Sequence, residues 1–195
     1  MYCGQVPYWL TKHLDTYQNT GRMPRVLDIG AGYGTLASLA SVYGAVVVTL
    51  DPVPAIPAEI IAEFGLVPIT GNVEKDPLPL DRYDAIIMTE VLEHFNYHPV
   101  QTMQKVKDSL RAGGKIFLST PDAASWGRVQ IYPNLDAIPV YSEGIYNDTW
   151  RDEHIWQYSR AELESVMITS GLKITQLAHS NSPGGNHFNV VLEPI

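Results

Sequence analysis

Two groups of residues have the types and spacing to do chemistry. Glu90, Glu93 and His94 stand at i, i+3 and i+4, so one helical turn would place two carboxylates and an imidazole on a single face. The histidine could take a proton near neutral pH, and the whole set, with His154 as a fourth donor, could hold a hard divalent ion. The second group is the run Gly30-Ala31-Gly32-Tyr33-Gly34, preceded by Asp28 and followed at Asp51 by a further acid. Glycines directly after a strand let backbone approach a ligand closely, and an acid closing the next strand can accept both hydroxyls of a ribose. A dinucleotide fingerprint would need its third glycine where Thr35 stands, which disfavours a nicotinamide-dependent oxidoreductase.

These residues need a frame that brings them to one edge. Short β-branched runs alternate with segments of helical spacing, the pattern of strand and crossover helix. Strands are expected at 25–29, 45–50, 66–70, 83–88 and 115–119, and helices at 34–43, 58–64, 99–110 and 160–170. Val46-Val47-Val48 and Ala85-Ile86-Ile87-Met88 lack polar alternation, so their strands should be covered on both faces, as in a parallel sheet of the α/β class. The finish differs: 172–178 and 187–192 flank Asn181-Ser182-Pro183-Gly184-Gly185 and read as an antiparallel hairpin. The stretch 122–153 has no clear period but carries Trp126, Tyr132, Tyr141, Tyr146 and Trp150. A loop that long in a compact domain is usually functional, and its aromatics suit a substrate lid or an interface that would make the protein a homodimer.

Composition narrows the partners. With 195 residues the chain fits a single domain, 1–195. Thirteen basic against 21 acidic residues, net charge −8, offer no footprint for nucleic acid or an anionic lipid surface. One cysteine cannot build a disulfide or a thiolate metal site. No apolar run approaches a bilayer span and the start lacks a signal-peptide pattern, so the expected location is cytoplasmic.

Val26-Leu27-Asp28-Ile29-Gly30-Ala31-Gly32-Tyr33-Gly34 resembles the first motif of class I S-adenosylmethionine-dependent methyltransferases. Further segments resemble that family in the same order: Asp51 as its ribose-binding acid, Gly71-Asn72-Val73-Glu74 as its adenine loop, and 83–94 as its fourth strand and active-site edge. Leu110-Arg111-Ala112-Gly113-Gly114-Lys115 resembles the turn into the fifth strand, and 158–163 with Ser170-Gly171-Leu172 resembles the final helix before the hairpin. The resemblance spans roughly residues 25 to 175. It implies a Rossmann-like seven-stranded sheet, mostly parallel with an antiparallel last strand, helices on both faces, and S-adenosyl-L-methionine across the carboxyl ends of the strands. It implies cofactor contacts at Asp28, Gly30, Ala31, Gly32, Gly34, Asp51, Pro52, Asn72, Val73, Thr89 and Glu90. Two departures stand out. Prolines at 52, 54 and 57 should delay the helix after Asp51, and Asn72 stands where many relatives carry an acid.

The reaction so implied is methyl transfer to a small-molecule acceptor, at oxygen, with His154 first and His94 second as base or positioning group. His13, His98, His179 and His187 have no motif around them and read as structural or surface residues. Residues 1–24 suggest a helical cap over the cofactor, with Pro7 to Leu10 and Leu14 to Tyr17 on its apolar side. The alternatives are a metal-dependent O-methyltransferase using Glu90, Glu93, His94 and His154, the disfavoured oxidoreductase, and a non-catalytic nucleotide-binding partner subunit.

Overall fold

The computed structural model of the chain describes residues 4–79, 82–129, 131–142 and 151–195. Strands β1 (Arg25–Ile29), β2 (Val46–Asp51), β3 (Val67–Thr70), β4 (Tyr83–Thr89) and β5 (Leu110–Pro121) run parallel. Helix α2 (Thr35–Val42) joins β1 to β2, α3 (Ala58–Phe64) joins β2 to β3, and α4 (Pro99–Asp108) joins β4 to β5. After α5 (Ala123–Trp126) and α6 (Arg160–Thr169), the hairpin of β6 (Leu172–Ser182) and β7 (Gly185–Pro194) completes a seven-stranded sheet ordered β3-β2-β1-β4-β5-β7-β6. Strand β7 is antiparallel to both its neighbours. The expected Rossmann-like architecture is therefore present.

Side-chain alternation along the strands divides the core between two faces. Leu27, Val48, Ile86, Met88, Ile116 and Leu118 face α4 and α6, whereas Val26, Val47, Ala85, Ile87 and Phe117 face α2 and the amino-terminal helix α1 (Val6–Asp15). Because both sets are buried, a one-residue slip of a central strand would preserve hydrophobicity, and register is carried by shape and by the turns.

Helix boundaries follow local chemistry. Helix α3 starts only at Ala58, after the last of the three prolines, as their missing amide donors require. Helix α6 opens with a reciprocal capping box, in which Ser159 accepts from the Glu162 amide and the Glu162 carboxylate accepts from the Ser159 amide at 2.8 Å. The hairpin is longer than the apolar pattern indicated, because the polar pairs Asn181 with Asn186 and Ser182 with Gly185 continue the ladder to a two-residue turn.

Helix α1 buries Val6, Leu10 and Leu14 on the sheet face beside α2. None of its described residues lines the crevice at the sheet edge. The described residues of the amino-terminal helix thus pack on the sheet face beside α2.

Candidate active site

Strand order reverses between β1 and β4, and the carboxyl ends of parallel strands diverge there to leave a crevice. It is lined by Ile29, Gly30 and Gly32 from β1 and its turn, Leu50 to Pro52 from β2, Gly71 to Glu74 after β3, Glu90, Val91, His94 and Phe95 after β4, and Asp152. Glycine has a distinct role at two of these positions. A Cβ on Gly30 would collide with the Val91 side chain, so this glycine lets the β1 and β4 turns meet. Gly32 has φ +54 and nothing within 4 Å of where its Cβ would stand, leaving bare backbone facing open space.

Asp51 ends β2 half-buried, and its Oδ2 accepts from the Gly32 amide at 3.2 Å. Burial raises its pKa, while the amides of Gly32 and Ala31 oppose the rise. Asn72 forms a small turn, with Oδ1 accepting from the Glu74 amide at 2.8 Å. Glu74 is buried, and its two oxygens accept from the Asn96 amide at 3.0 Å and the Tyr97 amide at 2.8 Å. Burial pushes its pKa up to about 7 despite those bonds.

Glu90 is, among the described residues, the one non-glycine with positive φ, at 58°. Such a conformation costs on the order of 1–3 kcal/mol and persists only when surroundings impose it. Here the Glu90 amide donates to Ser119 O at 3.0 Å, the Ser119 hydroxyl donates to Glu90 Oε1 at 2.6 Å, and His187 Nδ1 lies 2.8 Å from Glu90 Oε2. Glu93 is wholly buried and accepts from the Thr120 hydroxyl at 2.9 Å. Burial and the adjacent Glu90 hold its pKa well above the ordinary carboxyl value.

His94 lines the crevice and packs edge-on against His154, with ring centroids 4.9 Å apart. Burial lowers the pKa of both rings; Asp152 opposes the shift at His94, and His94 adds to it at His154. The Gln157 amide fixes the second ring. Its Oε1 accepts from the Val129 amide at 3.0 Å, which turns its NH2 toward His154 Nδ1 at 3.2 Å. His154 Nδ1 is then an acceptor, and the neutral ring carries its proton on Nε2.

Of the sequence-derived site residues, the crevice gathers Gly30, Gly32, Asp51, Pro52, Asn72, Val73, Glu90 and His94. Four expected cofactor contacts do not line it. Asp28 is buried on the α2 face, accepting from the Ala37 amide, with burial and Asp51 raising its pKa to about 8. Ala31 turns its amide to Asp51, Gly34 caps α2 against Ile56, and Thr89 ends β4. The four-residue metal set does not assemble as expected either: ligand atoms of Glu93, His94 and His154 converge within 4.8 Å, while Glu90 turns to Ser119 and His187.

Sequence reasoning assigned no site role to Glu74, Asp152 or His187, of which the first two line the crevice and the third stands beside Glu90. No local motif marks His187, because antiparallel pairing of β5 with β7 sets it opposite Pro121 and thereby beside Glu90. In the aromatic stretch, Trp126 stands 5.2 Å from the His187 ring and 6.1 Å from that of His154, and Tyr141 packs on Tyr97 at 5.1 Å. Tyr132 packs against the core, and Tyr146 and Trp150 lie outside the described residues. Among the described residues no helix is long and apolar enough to cross a membrane.

Comparison with known proteins places this geometry. The ubiquinone biosynthesis O-methyltransferase of mouse mitochondria is 25% identical over 170 residues, covering 79% of this chain and 42% of its own length. The chain thus spans less than half of that curated relative. The solved 1,6-didemethyltoxoflavin-N1-methyltransferase of Burkholderia thailandensis, with bound 1,6-didemethyltoxoflavin and S-adenosylhomocysteine, superposes with TM-score 0.69 at 19% identity, over 97% of this chain and 78% of that one. The CcbJ methyltransferase of Streptomyces caelestis gives TM-score 0.65 at 17% identity, over 97% and 96%. The family model described as a methyltransferase domain matches residues 6–177. The chain therefore belongs to the methyltransferase-domain family, of the class I, S-adenosylmethionine-dependent type.

Proposed function

We propose that the protein transfers a methyl group to an oxygen of a small-molecule acceptor seated beside His94. The observation that carries this is the crevice at the strand-order reversal, where a half-buried carboxylate, Asp51, and an open glycine backbone, Gly32, stand together. These residues fit the donor: Asp51 has acceptor capacity for ribose hydroxyls, and Asn72 and Val73 line the same crevice after β3, where adenine would lie. S-adenosylmethionine, when bound, supplies an electrophilic methyl group on a sulfonium.

The protein's own contribution is orientation, exclusion of water and proton handling. His94, on the crevice wall and neutral at pH 7 because burial lowers its pKa, takes the acceptor proton. His154, with Nδ1 engaged by Gln157, serves as a positioning donor through Nε2. This reverses the priority assigned to the two histidines from sequence. Trp126, from the 122–153 stretch expected as a lid, stands on the acceptor side, which its ring contacts with both His154 and His187 support. An oxygen acceptor is supported by the mouse relative, and the acidic surface favours a small molecule over nucleic acid. The test is transfer of labelled methyl from S-adenosylmethionine to a panel of phenols and aliphatic amines. Label on phenolic oxygen is expected; label on amines alone would overturn the oxygen assignment.

A second reading, with a divalent metal, is favoured by one observation, the convergence of Glu93, His94 and His154. Those three would hold the ion, which would polarise an acceptor oxygen. Chelation followed by magnesium or manganese add-back separates the two: the metal-free reading expects an unchanged rate, the metal reading loss and recovery.

A further inference from the structure

The cofactor side and the acceptor side of the crevice are joined by a hydrogen-bond path. It begins at Glu74, in the loop after β3 that lines the crevice, whose oxygens accept from the Asn96 and Tyr97 amides. It continues through the Asn96 side chain. Asn96 Oδ1 accepts from the Arg151 amide at 2.9 Å and Asn96 Nδ2 donates to Arg151 O at 3.0 Å, a closed pair like one rung of a sheet. The same NH2 reaches His94 O at 3.0 Å. Arg151 leads directly into Asp152, which lines the crevice, and His154, which packs on His94. Three segments far apart in sequence, 72–74, 94–97 and 151–154, are thus held by one carboxylate and one carboxamide.

We propose that Asn96 is a positioning residue that couples occupation of the cofactor seat to placement of the acceptor wall: ligand pressing on the loop at 72–74 steadies Glu74, and Asn96 passes that order to 151–154. The consequence is ordered binding, with the acceptor wall completed only once the cofactor side is filled. A buried carboxylate with two amide donors cannot move alone without leaving those donors unpaired, which makes Glu74 a stiff link. The Asn96 pair is specific because no other described side chain bonds both polar groups of the Arg151 backbone. Losing both bonds should change the local opening equilibrium about 5- to 150-fold.

This inference rests on the proposed S-adenosylmethionine site, and the experiment separates the two. Amide hydrogen exchange of residues 151–154 is followed with and without S-adenosylhomocysteine in the wild type and in Asn96→Ala, with affinity for that ligand measured in parallel. The expected result is slowed exchange at 151–154 on ligand binding to the wild type. In Asn96→Ala, affinity should change no more than about threefold, while the ligand-dependent slowing at 151–154 disappears. Asn96→Asp, which keeps an acceptor for the Arg151 amide but has no N–H for its carbonyl, should show intermediate slowing and serves if the alanine variant does not fold. Direct ligand contact with Asp152 would protect 151–154 equally in all three proteins, and that outcome overturns the coupling while leaving the cofactor site standing. No binding of S-adenosylhomocysteine by the wild type overturns both.

Discussion

Replacing Asp51 by alanine should weaken S-adenosylhomocysteine binding by about 1.5–3 kcal/mol, the worth of hydrogen bonds to a charged acceptor, or roughly 10- to 150-fold in Kd. The magnitude follows from how the carboxylate is used. It has about four acceptor sites, and the amides of Gly32 and Ala31 occupy part of that capacity from the protein side. The remainder faces the crevice, where a ribose diol can donate. Half-burial strengthens these bonds relative to water and also explains the raised pKa, since the charged form lacks full solvation. Asp51→Asn separates the contributions: it keeps one oxygen for the loop amides but loses the charge, and should fall between wild type and alanine. Titration calorimetry on variants whose thermal melts match the wild type provides the comparison. Wild-type affinity in folded Asp51→Ala would refute the ribose role and leave Asp51 only the task of latching the glycine turn.

Four further outcomes follow from the geometry. Activity should rise with pH through an ionisation on the acid side of the ordinary imidazole value of about 6.5, because burial lowers the His94 pKa and the base works when neutral; a rise centred above that value contradicts His94 as base. Asp28, with its folded pKa raised to about 8, stabilises the fold below its unfolded pKa, and that contribution is lost as pH rises through about 8, at up to about 1.4 kcal/mol per unit. Denaturant titrations across that range should therefore show a flatter profile for Asp28→Asn than for the wild type. Gly30→Ala should cost about 2 kcal/mol or more of stability, from overpacking against Val91 and a left-handed backbone, whereas Gly32→Ala should cost less and mainly weaken ligand binding. His187→Ala should lower kcat with little change in cofactor affinity, because it removes one of the two side chains that hold Glu90 in its strained conformation; an equal fall in S-adenosylhomocysteine affinity would place Glu90 in the cofactor seat alone.

The fold was legible where one periodicity dominates. The unbroken apolar runs of β2 and β4 have no polar face to expose, so a doubly covered parallel sheet is the economical arrangement for them. The glycine turn and Asp51 were legible for a related reason, since their chemistry is local to one strand end and the next. What escaped is long-range. Glu90 bends its backbone against propensity because Ser119 and His187 hold it, and these lie 29 and 97 positions away. Asn96 gives no hint in its neighbourhood that its carboxamide closes on Arg151, 55 residues on. The tautomer of His154 depends on Gln157 and Val129, a side-chain orientation that spacing does not encode. At Asp28 and Gly34 a motif marks a position in the turn but does not encode that Asp28 is buried against the Ala37 amide or that Gly34 caps α2.

The central claim, that the crevice at the β1–β4 reversal is a seat for S-adenosylmethionine, is met most directly by calorimetric titration of the purified protein with S-adenosylhomocysteine and, separately, with a nicotinamide dinucleotide. Saturable binding of S-adenosylhomocysteine at one site per chain, abolished or strongly weakened in Asp51→Ala and absent for the dinucleotide, is the predicted result. Binding of the dinucleotide in its place, or no heat from either ligand with a folded protein, would contradict it.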